Sequence, residues 1–219
     1  MPHPQPEGFL AVPATGNGRG VLVLHPWWGL NATMRMVCTQ LSEAGYVAFA
    51  PDLYHGQLAT TISEAESLSN ALDERQARAD SAAALDFLGE HAAPAGQALA
   101  AIGFSLGAYF ALDLSATDPD RLRAVVVFYG TRPGDYTASR AAYLGHFAEV
   151  DEFESEADVN GLEASLRAAG RPVTFYRYPG TGHWFFEPDR TDAYSPAAAT
   201  LAWERTLTFL RNALPPGPR

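Results

Sequence analysis

The sequence has no lysine: all 15 of its basic residues are arginine. That excludes Schiff-base chemistry on a lysine amine, pyridoxal-phosphate enzymes included. It also excludes a P-loop, which needs its lysine to hold phosphate. Positive charge of any kind is scarce, and 25 Asp and Glu leave a formal net charge of −10. A chain this acidic, with no basic cluster, is a poor binder of phosphate backbones, so nucleic acid is not an expected partner. Cysteine occurs once, as Cys38. A single thiol excludes an internal disulfide and points to a reducing compartment. No apolar run approaches the roughly 18 residues of a membrane span. Residues 1–10 are polar and Pro-rich, without an apolar stretch of signal-peptide length. The expectation is a soluble cytoplasmic protein, monomer or homodimer, with no membrane partner.

What is present is enough for one folded unit. The chain has 219 residues, of which 47% are hydrophobic and 18% charged, sufficient for a single domain with a sizeable core. Short apolar runs at 21–24, 46–50, 98–104, 124–129, 142–147 and 173–178 read as buried strands. Helical spacing occupies 32–44, with Asn31 as N-cap and Gly45 as the stop. Further helices are expected at 63–91 (one broken helix or two), 106–116, 159–169 ending at Gly170, and 196–212. Strands separated by helices imply a mostly parallel sheet covered on both faces. There is no internal repeat and no linker-like break. The expectation is one α/β domain over 1–219, with its core at about 8–213 and frayed ends, including the tail Pro215-Pro216-Gly217-Pro218. In such sheets the site lies at the carboxyl ends of the strands.

One of those ends carries Gly103-Phe104-Ser105-Leu106-Gly107, a G-x-S-x-G between an expected strand and an expected helix. That context is what a nucleophile elbow requires. The turn is sharp, so its flanking positions exclude bulky side chains. The serine is held at a helix start, where backbone N–H groups and the helix dipole favour negative charge. The competing reading is a Gly-rich strand–helix turn with an incidental serine. Of six histidines, His183 lies in Pro179-Gly180-Thr181-Gly182-His183, just after the last strand. The order Ser, acid, His along the chain then matches a hydrolase triad. His25 also follows a strand and is read as shaping its own loop. The acid must come between, and Glu149, Asp151, Glu152 and Glu154 all offer carboxylates, as does Asp52 after the second strand. Spacing does not choose among them. An acidic loop is otherwise an ordinary solvated one.

Taken together, these residues resemble the dienelactone hydrolase family of α/β-hydrolases, over about 21–210. The matching segments are Pro51-Asp52-Leu53-Tyr54, the elbow at Ser105, the loop around Asp151, Gly182-His183, and Trp203-Glu204-Arg205-Thr206. The resemblance implies an α/β-hydrolase fold without a large cap domain. It implies a carboxymethylenebutenolidase-like activity that needs no cofactor or metal. It places the acid on Asp151, the base on His183, and the oxyanion donors on the backbone N–H groups of Trp27 and Leu106. The sequence departs from the family's best-known members at three positions. Their elbow cysteine is here Ser105. Their glutamate after the first strand is here Pro26, which is consistent, because a serine activated by histidine needs no thiol-handling carboxylate. Their substrate-gripping arginine shortly after the histidine is here Glu187, whose negative charge is expected to repel an anionic substrate.

The reading that follows is a serine hydrolase cleaving small neutral or aromatic esters or lactones through an acyl-enzyme. Trp28, Tyr54, Phe104, Trp184 and Phe185 are candidate pocket residues, since aromatics cluster after the strands. Core packing is their competing reading, above all for Phe104 inside the elbow. Cys38, on a helix with apolar spacing, reads as a small buried hydrophobe. The alternatives are an acyltransferase or thioesterase on the same triad, and a non-catalytic binding domain on a hydrolase scaffold.

Overall fold

The computed structural model describes residues 5–92 and 98–214. The expected frayed tail at 215–218 lies outside the described residues. Seven strands form one sheet: β1 (Gly8–Ala11), β2 (Arg19–Leu24), β3 (Tyr46–Pro51), β4 (Leu99–Phe104), β5 (Leu122–Phe128), β6 (Ala142–Ala148) and β7 (Val173–Tyr178), in the order β1-β3-β2-β4-β5-β6-β7. All neighbours are parallel except β1, which pairs antiparallel with β3. The expected strands are all present. β1 was not expected, because four half-buried residues at a sheet edge carry little alternation to read.

Among the described residues six helices flank the sheet: α1 (Ala32–Glu43), α2 (Ile62–Ala71), α3 (Glu74–His91), α4 (Leu106–Thr117), α5 (Glu156–Ala168) and α6 (Pro196–Ala213). The helix-rich stretch before β4 divides at Leu72, whose backbone is extended, and Asp73 caps the second helix by accepting from the N–H groups of Arg75 and Gln76. Alternation within the strands sorts the core into two layers. Val21, Val23, Ala100, Ile102 and Val126 face α1 and α6. Leu22, Leu24, Ala101, Val125 and Val127 face α3, α4 and α5. Both faces of the central strands are covered by apolar side chains, which is why those strands read as largely apolar runs. Among the described residues no helix is long and apolar enough to cross a membrane, and no segment forms a cap domain.

The chain leaves β2 first toward β3 and then returns to β4 on the other side of β2. This reversal opens a crevice at the carboxyl ends of β2 and β4. Leu24 pairs with Gly103 there, so the loop after β2 lies beside the loop after β4.

Candidate active site

Ser105 is the N-cap of α4 and has φ 48° and ψ −113°. A non-glycine residue is strained in this region, and a sharp strand-to-helix turn demands it. Two glycines make the turn possible. A Cβ on Gly103 would come within 2.3 Å of the Gly107 carbonyl oxygen, and one on Gly107 within 2.1 Å of the Leu24 carbonyl oxygen. The first turn of α4 thus lies directly on the end of β2. The Ser105 N–H donates to the Phe128 carbonyl at 2.9 Å, tying the elbow to β5.

His183 arrives from the opposite side. Pairing of β6 with β7 brings the loops 149–154 and 179–183 together. Val150 N–H donates to the Thr181 carbonyl at 3.2 Å, and Gly180 N–H to Glu149 Oε2 at 2.8 Å. Asp151 Oδ1 accepts the N–H groups of Phe153 and Glu154, which fixes the carboxylate. Its oxygens lie 2.9 and 2.8 Å from His183 Nδ1, and His183 Nε2 lies 3.0 Å from Ser105 Oγ. A carboxylate only accepts, so Nδ1 carries the proton and Nε2 is free to accept from the hydroxyl. Of the carboxylates open at the sequence level, Asp151 is the one that reaches the imidazole. Glu149 and Glu154 brace the loops instead, Glu154 by accepting from Thr131. Asp52 accepts from the N–H groups of Tyr54 and Gly56 within its own turn.

The N–H groups of Trp27 and Leu106 find no acceptor among the described residues. Leu106 opens α4, so its N–H is one of the helix's orphan donors. Trp27 sits in a turn closed by Gly29 N–H donating to the Pro26 carbonyl at 3.1 Å. His25 shapes this loop, as expected. Its Nε2 accepts from Leu53 N–H at 3.1 Å, so Nδ1 donates to the Pro26 carbonyl at 2.7 Å. Burial pushes its pKa down and keeps it neutral in that role.

Aromatic rings surround the imidazole. Phe153 lies 5.0 Å from His183, 5.3 Å from Trp27 and 4.9 Å from Trp184. Trp27 stacks on Trp184 at 5.9 Å, and Trp28 backs both. A cleft of about 550 Å³ opens beside His183, lined in part by Glu149, Glu152, Phe153, Trp184 and Asp192. It meets the triad at His183, and Ser105 does not line it.

Three pocket expectations need correction. Phe104 is fully buried and stacks on Phe128 at 4.6 Å; Phe185 is fully buried against Tyr129 and Tyr178. Both are core. Tyr54 packs on His25 at 5.0 Å and borders a different cleft, with Leu68 and Leu72. A fourth correction concerns Glu187, which lies in the interior rather than on the cleft. It is fully buried, its Oε1 accepts from the Tyr129 hydroxyl at 2.7 Å, and burial pushes its pKa up to about 8. Two residues were missed. Phe153 sits in an acidic loop with no pattern to mark it. Tyr129, with φ 36° and its ring 4.8 Å from His183, was read as the end of a strand.

Comparison with known proteins agrees with the resemblance read from the motifs. The model of the Dienelactone hydrolase family matches residues 7–214. A protein of Aquifex aeolicus named "Putative carboxymethylenebutenolidase" is 30% identical, over 95% of this chain and 94% of its own. A Bradyrhizobium protein named "Probable 2-oxo-3-(5-oxofuran-2-ylidene)propanoate lactonase" is 32% identical, over 93% of this chain and 88% of its own. The crystal structure of "Putative Dienelactone Hydrolase" from Klebsiella pneumoniae superposes with a TM-score of 0.81 at 25% identity, covering 92% of this chain and 91% of that one. The chain therefore belongs to the dienelactone hydrolase family of α/β-hydrolases.

Proposed function

We propose that this hydrolase cleaves carboxylic esters or lactones through an acyl-enzyme on Ser105. The observation that carries the reading is the unbroken hydrogen-bond chain from Asp151 through His183 to Ser105 Oγ. Ser105 Oγ attacks the carbonyl carbon, and its proton passes to His183 Nε2. The carbonyl electron pair moves onto oxygen, which the Trp27 and Leu106 N–H groups receive. Asp151 holds the tautomer and stabilises the imidazolium. Collapse of the tetrahedral intermediate breaks the C–O bond, and His183 returns the proton to the leaving alcohol. Water then attacks the acyl-enzyme with His183 as base, releasing the acid and restoring the hydroxyl. No step draws on a metal or cofactor.

The surroundings favour neutral, aromatic or small apolar esters. Trp27, Phe153 and Trp184 supply apolar faces. Glu149, Glu152 and Asp192 line the adjoining cleft, and no arginine does. The acidic lining discriminates against a carboxylate-bearing substrate. Thus the exclusion of anions that the sequence suggested at Glu187 falls instead to these three residues.

Hydrolysis of p-nitrophenyl acetate and butyrate tests the reading. Wild-type protein turns both over, and Ser105→Ala falls to background, a loss on the order of 10⁴-fold or more. Equal activity in both proteins would assign the chemistry to another residue.

A further inference from the structure

Glu187 lies four residues beyond His183 and is shut off from solvent. The Tyr129 hydroxyl donates to Oε1 at 2.7 Å, while Oε2 has no partner among the described residues. No ion pair neutralises it among those residues. The cation whose charge acts on it, Arg190, has Nη2 3.1 Å from Asp189 and lies over the Trp28 ring at 4.0 Å, with its Nε unpartnered among the described residues. The other acidic groups facing this pair are the carboxyl groups of Asp189 and Asp151, which disfavour a charge on it. A carboxylate with one donor and acidic neighbours is disfavoured in such a place, and a neutral carboxylic acid is not.

Tyr129 connects this acid to the triad. Its N–H donates to the His146 carbonyl at 2.8 Å, which pins the backbone in its left-handed conformation. Its hydroxyl is held by Glu187, and its ring packs against the His183 imidazole at 4.8 Å. The same short turn ties Glu187 to the histidine through the backbone, where Glu187 N–H donates to the Trp184 carbonyl at 2.9 Å.

We propose that Glu187 is a positioning residue for His183: as a neutral acid it fits the closed turn that sets the Tyr129 ring against the imidazole, and its ionisation in that buried place displaces the turn. The proposal rests on the reading of His183 as the general base. A charge at Glu187 must find water or a cation, and reaching either displaces the turn that carries His183 and Trp184. Activity then falls at alkaline pH although the base itself is deprotonated and competent.

The test is the pH profile of kcat/KM and of kcat for p-nitrophenyl butyrate. Wild-type protein shows a falling limb centred near the point where Glu187 ionises, at about 8. Glu187→Gln, which imitates the neutral acid, stays within about threefold of wild type at neutral pH and loses the falling limb. Tyr129→Phe removes a hydrogen bond that favours the ionised form of Glu187 and so lowers its pKa, and the limb therefore moves to higher pH. A limb that persists in Glu187→Gln, or one that Tyr129→Phe leaves in place, overturns the proposal. Urea unfolding followed against pH gives a readout independent of turnover. At Glu187 the folded wild type holds one more proton than the unfolded chain between about pH 5 and 7.5, so its stability slope differs from that of Glu187→Gln by one proton over that range. Equal slopes overturn the neutral state of Glu187. Failure of the site reading looks different: Ser105 then takes no fluorophosphonate label at any pH, whatever the unfolding slopes show.

Discussion

At the scale of single residues, the elbow and the loop after β7 depend on backbone conformations that few residue types allow. Ser105 and His183 were legible because local geometry restricts the residue types around them. An elbow needs glycine at 103 and 107, and a tight loop after the last strand needs Gly180, whose φ is +70°. Asp151 was legible only through the family resemblance, because four carboxylates share that loop and spacing does not rank them. Phe153 and Tyr129 were not legible, since their contacts with His183 exist only once β5, β6 and β7 are aligned. The glycine argument makes a sharp prediction. Gly107→Ala drives a methyl group into the Leu24 carbonyl, and overpacking of this kind costs ~1–3 kcal/mol or more. Urea denaturation of Gly107→Ala should show that loss, together with loss of esterase activity; an unchanged midpoint would contradict the close approach. Cys38 makes a second prediction. It is fully buried on α1, and burial pushes its thiol up to about 12. Ellman's reagent should leave the native protein unmodified and label one thiol after unfolding, and alkylating agents should not inhibit.

At the scale of elements, the expected strands and helices all formed because each carries its own signal. β2 to β6 are mostly apolar runs, and α1 is capped by Asn31, whose side chain accepts from Met34 N–H. Two boundaries were harder. The helical stretch before β4 is compatible with one helix by composition, and the break is decided by Asp73 as the N-cap of α3. α5 begins earlier than apolar spacing suggests, because Ser155 caps it at the polar end of the acid loop. Asp73→Ala should therefore cost ~1 kcal/mol of stability, the usual value of an N-cap. An unchanged melting temperature would mean that packing of α3 alone defines its start.

At the scale of the whole molecule, buried titratable groups set how stability responds to pH. His146 is fully buried in β6, bonded to Tyr178 at 2.7 Å and Thr206 at 3.0 Å. Burial pushes its pKa down from 6.5 to about 3. A base with a depressed folded pKa contributes stability above its unfolded value and loses it as pH falls through that value toward the folded one. Stability should fall by about 1.4 kcal/mol per pH unit from this group below pH ~6.5. Glu187 acts in the opposite direction. Its folded pKa is raised, so its contribution is complete below the unfolded pKa near 4.5 and is lost as pH rises to about 8. Folding should be most favourable between these slopes, in mildly acidic solution. His146→Gln should flatten the acid side by one proton without touching the alkaline side. An unchanged acid slope would mean that carboxylates alone govern acid unfolding. The fold organises both groups: the sheet that aligns the Ser105, Asp151 and His183 loops also encloses the two side chains beneath them.

The acyl-enzyme on Ser105 is the central claim, and it is directly observable. Rapid mixing of the protein with excess p-nitrophenyl acetate, acid quench and peptide mass spectrometry should find one acetyl group on the peptide carrying Ser105, with a matching burst of p-nitrophenol. His183→Ala should abolish both. An acetyl group on any other residue, or turnover with no modified Ser105 in the quenched protein, would contradict the account.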